Sequence, residues 1–263
     1  MSSYSDTLIP IIRKAGEIIL SAHDIESGDN VEIKPGSANF VTVYDIRVQD
    51  FIISEIKKAF PSAVFIAEEK DNDEALLFSE YCFIIDPIDG TTNFIHDYKI
   101  SCISVALFKN GSPEFGAIYD PYLNELFYAQ KGGGSYVNGR RTYVSERDAD
   151  TSILAYGTAP YYKDTLADKT FALCRELFSK CADVRRCGSA ALDLAYLSAG
   201  RCDLFFEFIL SPWDIAAAFL LVTEAGGIMT DMGGNEIDFS STSSVIASNQ
   251  KNYRLLLDTV QKY

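Results

Sequence analysis

Apolar side chains recur every third or fourth position at the start of the chain, at Leu8, Ile12, Ala15 and Ile19, which predicts a helix over residues 4–22. Pro10 falls inside that span and is tolerable only if the helix begins late or bends there. Val48, Ile52, Ile56 and Phe60 predict a second helix, with Asp45 near its start. The period then shortens to that of strands, at Ala63–Ala67, Tyr81–Ile85, Ser101–Lys109, Phe115–Asp120 and Glu125–Gln130. The charged run "EEKDNDE" at 68–74 reads as a solvated loop, and "KGGGSYVNGR" reads as a hairpin turn followed by a second turn at Asn138-Gly139. Beyond about residue 145 strands near 152–156, 183–187, 202–208, 227–230 and 244–248 alternate with helical patterns, among them Lys163–Lys180 and Ile215–Ala225. The pattern predicts an antiparallel-rich α+β part over 1–147 and an α/β part over 148–263.

Composition narrows the chemistry. The chain has 263 residues, 48% of them hydrophobic and 23% charged, as in an ordinary globular protein. Its longest apolar run, Ile215–Val222, is far short of the roughly 20 residues that span a bilayer. No basic start followed by an apolar block opens the chain, so the cytoplasm is the expected compartment. A net charge of −14 makes direct nucleic-acid binding unexpected. The six cysteines form no C-x-x-C pair and read as reduced, mostly buried small residues. With two histidines, no H-E-x-x-H and no G-x-S-x-G, any catalysis falls to carboxylates.

The stretch "CFIIDPIDGTTNF", residues 82–94, runs a buried-looking strand into two acids. Asp-Pro and Asp-Gly are ordinary turn signals, which is one reading. The other is that Asp86 and Asp89 hold a hard cation such as Mg²⁺, while amides at Gly90 and Thr91 receive a phosphate at a helix start. Glu68, past the strand "AVFIA", and Asp214, before a strongly apolar helix, are two more acids at element ends, and Glu69 reads as solvent-facing. Asp214 also reads as a helix N-cap, as does Ser189, and Glu207 reads as an ordinary strand acid. The spacing D-P-I-D-G-T is one residue longer than the D-x-D-G-T of covalent aspartyl phosphatases, and no cysteine is followed by five residues and an arginine.

Taken together, "FIAEE", "DPIDGTTNF" and "PWDIAAAFLLVTEAGG" resemble the inositol monophosphatase family of Mg²⁺-dependent, lithium-sensitive phosphatases. The resemblance runs from "IKPGSANFVTVYD" through "IYDPYLNELFYAQKGGGSYVNG" to "SVIASN". It implies a layered α-β-α-β-α sandwich, two or three Mg²⁺ ions and a homodimer. By the same resemblance Glu68 and Asp86, with the Ile88 carbonyl, would hold one metal. Asp86, Asp89 and Asp214 would hold a second, with Glu68 bearing on a third. Thr91, assisted by Asp45 and Glu68, would activate a metal-bound water for direct attack on phosphorus. Asp89, Gly90, Thr91, Gly188, Ser189, Ala190, Glu207 and Asp214 would contact substrate, and Lys34 matches a lysine near the metal loop. Inositol 1-phosphate or a similar small sugar phosphate is the implied substrate. Fructose 1,6-bisphosphate, adenosine 3′,5′-bisphosphate and histidinol phosphate are rivals, and Arg185 with Arg186 is the pair that a second phosphate would need. Some bacterial relatives are regulatory partners of the transcription machinery, so a protein-binding role on the same fold is a further reading.

Overall fold

The computed structural model describes residues 4–22, 31–33, 40–70 and 72–263. In chain order the first half contains α1 (Tyr4–Leu20), β1 (Val31–Ile33), β2 (Phe40–Thr42), α2 (Val43–Ala59), β3 (Val64–Ala67), β4 (Cys82–Asp89), α3 (Thr91–Ile95), β5 (Cys102–Lys109), β6 (Ser112–Asp120), β7 (Glu125–Gln130), β8 (Gly134–Val137) and β9 (Arg140–Thr142). The second half contains β10 (Ile153–Tyr156), α4 (Lys163–Phe178), β11 (Asp183–Arg185), α5 (Ala190–Ser198), β12 (Leu204–Leu210), α6 (Pro212–Glu224), β13 (Ile228–Thr230), β14 (Ser243–Ser248) and α7 (Tyr253–Val260). A seven-stranded sheet runs in the order β3-β4-β5-β6-β7-β8-β9, antiparallel except where β3 joins β4. A five-stranded sheet runs β11-β10-β12-β14-β13, parallel across its first three strands and antiparallel thereafter.

Alternation along the strands sets the layers, since successive side chains point to opposite faces. Phe83, Ile85, Ile103 and Val105 pack on α1 and α2 through Leu8, Ile12, Val48 and Ile52. Their neighbours Ile84, Ala106, Phe108 and Ile118 turn the other way, onto α5 and α6. Those two helices also meet Ala155, Phe205, Val245 and Ala247 of the second sheet. The far face of that sheet, with Leu154, Leu204, Phe206 and Ile246, is closed by α4 and α7 through Leu173, Leu177 and Leu256. The order is the expected α-β-α-β-α. It also explains why α6 is apolar on every side, for a helix covered by two sheets has no solvent face.

Several expectations shift at their edges. The strand expected to end at Ile85 continues to Asp89, and the helix expected from Ile215 starts at Pro212. Pro10 is accommodated inside α1. Both ends of the charged stretch, at Glu69 and Asp73, are anchored rather than simply solvated. Gln49 donates to the Glu69 carbonyl (3.1 Å) and accepts from its amide (3.0 Å), so Glu69 is half-buried, and Asp73 caps a 3₁₀ turn over Glu74–Phe78. All six cysteines are free, and four are buried. Lys34 lies outside the described residues. Among the described residues no helix is long and apolar enough to cross a membrane.

The backbones of α6 and the first sheet approach closely at Gly116 of β6. A Cβ there would fall 2.5 Å from the Ala217 carbonyl oxygen and 3.0 Å from its Cα. Gly116→Ala is therefore expected to push α6 off the sheet at a cost of about 1–3 kcal/mol, read as a lowered urea midpoint. An unchanged midpoint would mean that the two backbones can part freely.

Candidate metal and phosphate site

β4 and β5 pair in register from Cys82–Phe108 to Asp86–Ser104, then slip before Asp89 meets Cys102. Pro87 has no N–H to give a ladder, and a bulge is where a strand tolerates that. Both acids thus lie inside the strand rather than beyond it, on a bulge that redirects the chain between them. The Ile88 amide donates to Asp86 Oδ1 (3.0 Å) and fixes that carboxylate. Gly90 follows at φ 93, a left-handed conformation that glycine takes without strain, and it caps α3. Thr91 Oγ1 donates back to the Ile88 carbonyl (3.1 Å). The first amides of α3 have no partner inside so short a helix.

Asp89 is held from the second half of the chain. Its Oδ2 accepts from Ser189 Oγ (2.6 Å) and from the Ala191 amide (2.7 Å) at the start of α5. Ser189 also accepts from the Leu192 amide (3.3 Å), so it is both a helix cap and a contact of Asp89. Asn93 Nδ2 joins α3 to the same segment by donating to the carbonyls of Ile100 and Cys187, each at 2.8 Å. Asp214 is the third helical residue of α6 rather than its N-cap. It accepts from the Ser211 amide (2.6 Å) in a reciprocal capping box.

One oxygen each from Asp86, Asp89 and Asp214 lies within 4.8 Å of the others. Glu68 continues the β3–β4 ladder through its amide (3.2 Å to Ile85 O) and lines the same cleft, about 640 Å³ in volume. Burial raises Asp86 well above the usual carboxylate range, and the charges of Glu68, Asp89, Asp214 and Asp45 add to it. Burial and then Asp89 do the same to Asp214, and burial raises Asp89 despite its hydrogen bonds. The ion pairs among the described residues all involve other acids. Three converging hard oxygens without a basic partner fit a divalent cation of the Mg²⁺ type, and the absence of histidine and thiolate from the trio disfavours zinc.

Ile88, Gly90, Thr91, Gly188, Ser189, Ala190 and Glu207 line the cleft with the acids. Asp45 lies behind it instead. One of its oxygens is taken by the Thr42 amide (2.7 Å) and hydroxyl, while Oδ1 is buried with no hydrogen-bond partner. The arginine pair divides. Arg186 lines the cleft and donates to Thr158 Oγ1 (2.9 Å), whereas Arg185 pairs with Asp183 on the surface. Asp193 and Tyr161 also line the cleft and were not singled out by the sequence. Asp193 sits in the apolar run of α5, where nothing local marks it. In its buried site it rises to about 7, held down partly by hydrogen bonds from the Cys187 thiol and amide.

Burial likewise brings Glu207 to about 8 and Asp45 to about 6. Each folded value exceeds the unfolded one, so the stability these groups contribute is complete below about pH 4 and is lost as pH rises toward about 8. In a chelator, the melting temperature is expected to fall across that window. Glu207→Gln keeps an acceptor for the Ala159 amide and should remove the upper part of the fall; a wild-type-to-variant difference that stays constant with pH would contradict this.

The family model for the inositol monophosphatase family matches residues 1–263. The chain is 42% identical over 247 residues to the protein named Nus factor SuhB from Escherichia coli (strain K12), covering 93% of this chain and 91% of that one. It is 36% identical over 262 residues to the inositol-1-monophosphatase of Mesorhizobium japonicum, covering 99% and 97%. Its fold superposes on the Thermotoga maritima IMPase with a TM-score of 0.89 at 35% identity, covering 99% and 98%. The bulged acidic strand, the glycine-capped turn and the acid at the head of α6 thus stand on a whole-length match: this chain belongs to the inositol monophosphatase family.

Proposed function

We propose that the protein is a Mg²⁺-dependent phosphomonoesterase acting on a small phosphorylated polyol or sugar, with inositol 1-phosphate the leading substrate. The observation that carries this is the convergence of Asp86, Asp89 and Asp214 beside the Gly90-capped start of α3 in one cleft. Bound at the trio, Mg²⁺ would acidify a coordinated water and neutralise charge on the phosphoryl oxygens. The chain's own groups do the rest. The Gly90 and Thr91 amides receive phosphate oxygens, and the Thr91 hydroxyl, oriented by the Ile88 carbonyl, helps to direct the attacking water with Glu68. Gly188, Ser189 and Ala190 approach the sugar from the turn into α5, and Ser189 holds Asp89 in place. Glu207 accepts a sugar hydroxyl.

The choice of a monophosphate rests on charge. Arg186 is the one lysine or arginine among the described residues that line the cleft, and it faces Asp193 and Glu207. A guanidinium offset by two carboxyl groups suits hydroxyls better than a second phosphate. Fructose 1,6-bisphosphate and adenosine 3′,5′-bisphosphate are accordingly the weaker candidates.

Phosphate release from inositol 1-phosphate, those bisphosphates and histidinol phosphate, with and without Mg²⁺, tests the reading. Asp89→Asn is expected to lower turnover at least about a hundredfold, more than loss of an outer partner of a metal ligand normally does. Release that persists in chelator, or in the variant, would sink the proposal. A second reading, a protein-binding role, is favoured by the 42% identity to a protein named as a Nus factor. A partner recovered equally with wild type and Asp86→Asn would support it, and recovery of none would count against it.

A further inference from the structure

Gly157, Ala159, Pro160, Tyr161 and Tyr162, between β10 and α4, form a lip of the cleft to which the proposed reaction gives no task. The lip is held in a conformation that its own residues do not favour. Ala159 sits at φ 41, ψ 63, in the left-handed region that a Cβ disfavours. The cause is the buried Glu207 on β12. Its Oε1 accepts from the Ala159 amide (2.9 Å), and Gly157 lies so close to the carboxylate that a Cβ there would fall 1.8 Å from Oε2. Gly157 N also donates to the Phe206 carbonyl (3.0 Å), and Tyr162 N closes the turn on Ala159 O (2.8 Å). Only a residue without a side chain at 157 and a left-handed step at 159 let the chain turn here into the 3₁₀ turn Pro160–Tyr162.

That turn carries Tyr161 into the cleft. The residue is 49% exposed, so part of its ring faces solvent at the mouth. It lines the cleft together with Glu68, Asp86, Asp89 and Asp214, and burial, then the charges of Glu68, Asp214, Asp86 and Asp89, raise its phenol above its ordinary value. No hydrogen bond occupies this O–H among the described residues. A hydroxyl donor without a partner, in the cleft where Asp86, Asp89 and Asp214 converge, matches the oxygens of an anion held there.

We propose that Tyr161 is a substrate-binding residue that donates its phenol hydrogen to an oxygen of the bound phosphate group, and that Glu207 positions it through the Ala159 amide. The inference rests on the phosphatase reading and adds a contact to it. Inorganic phosphate is the probe, because it has no sugar hydroxyl and so separates the bracing role of Glu207 from any polyol contact. Trp213, the single tryptophan, lines the cleft and reports binding by fluorescence, with calorimetry as a second measure.

In the presence of Mg²⁺, Tyr161→Phe is expected to weaken phosphate binding roughly tenfold, the scale of one hydrogen bond to a charged acceptor, with no change in melting temperature. Glu207→Ala should weaken phosphate binding to a similar degree, and Glu207→Gln, which retains an acceptor, should not. The Tyr161→Phe/Glu207→Ala double variant should be no weaker than either single one. Wild-type affinity in Tyr161→Phe, in a chain that hydrolyses phosphate esters, overturns this inference alone. Fully additive losses in the double variant overturn the positioning role of Glu207. A wild-type chain that neither binds phosphate with Mg²⁺ nor hydrolyses any ester overturns the phosphatase reading and this one with it.

Discussion

Asp86, Asp89 and Asp214 are held in the interior with oxygens within 4.8 Å of one another. At an effective dielectric of about 20, a pair of like charges at that separation repels by roughly 3–4 kcal/mol. Among the described residues no lysine or arginine pairs with them to relieve this. Each carboxylate is instead fixed through one oxygen by a main-chain amide, Asp86 by Ile88, Asp89 by Ala191 and Asp214 by Ser211. That leaves the second oxygen of each for a cation. Repulsion, rigid attachment and a spare oxygen are the ingredients of a site whose charge is completed from outside.

The same need explains where the acids sit in the fold. Two of the amides belong to the starts of α5 and α6, where backbone dipoles favour negative charge. These are also the helices that fill the middle layer between the sheets. Asp86 and Asp89 reach the same point from β4, because the bulge at Pro87 lets one strand present both. The site is thus assembled where three packed elements end, and Gly116 lets α6 come near enough to the sheet to bring Asp214 there.

Much of this was legible in the residues, and the exceptions have physical reasons. The two N-terminal helices follow from period, because each has one covered face. β3 to β7 follow instead from short apolar runs, with β4 and β5 covered on both faces, and β8 and β9 are marked only by their turns. In the sequence β4 reads as ending at Ile85 because proline is an end signal, whereas in the fold a bulge absorbs it. The apolar run sets the expected start of α6 at Ile215, although Ser211-Pro212-Trp213-Asp214 carries both a capping box and a proline at the first helical position. α5 went unmarked because a nine-residue helix covered on all sides has no periodicity to show. Nothing local marks Asp193 or Tyr161, because one is placed by its contact with Cys187 and the other by the turn that the Ala159–Glu207 bond holds, and only the folded chain makes these. Asp45 hydrogen-bonds to Thr42, while the Thr91 hydroxyl donates to the Ile88 carbonyl.

The middle layer also bears on how the chain comes into being. All seven strands of the larger sheet have been synthesised by Thr142, yet the helices that cover its inner face end only at Ser198 and Glu224. At about 5–20 residues per second, a ribosome needs on the order of ten seconds to supply them. During that interval Ile84, Ala106, Phe108 and Ile118 have no permanent cover. The inner face of the first sheet is therefore completed only by residues made later, so the first half of the chain cannot bury it with its own contacts.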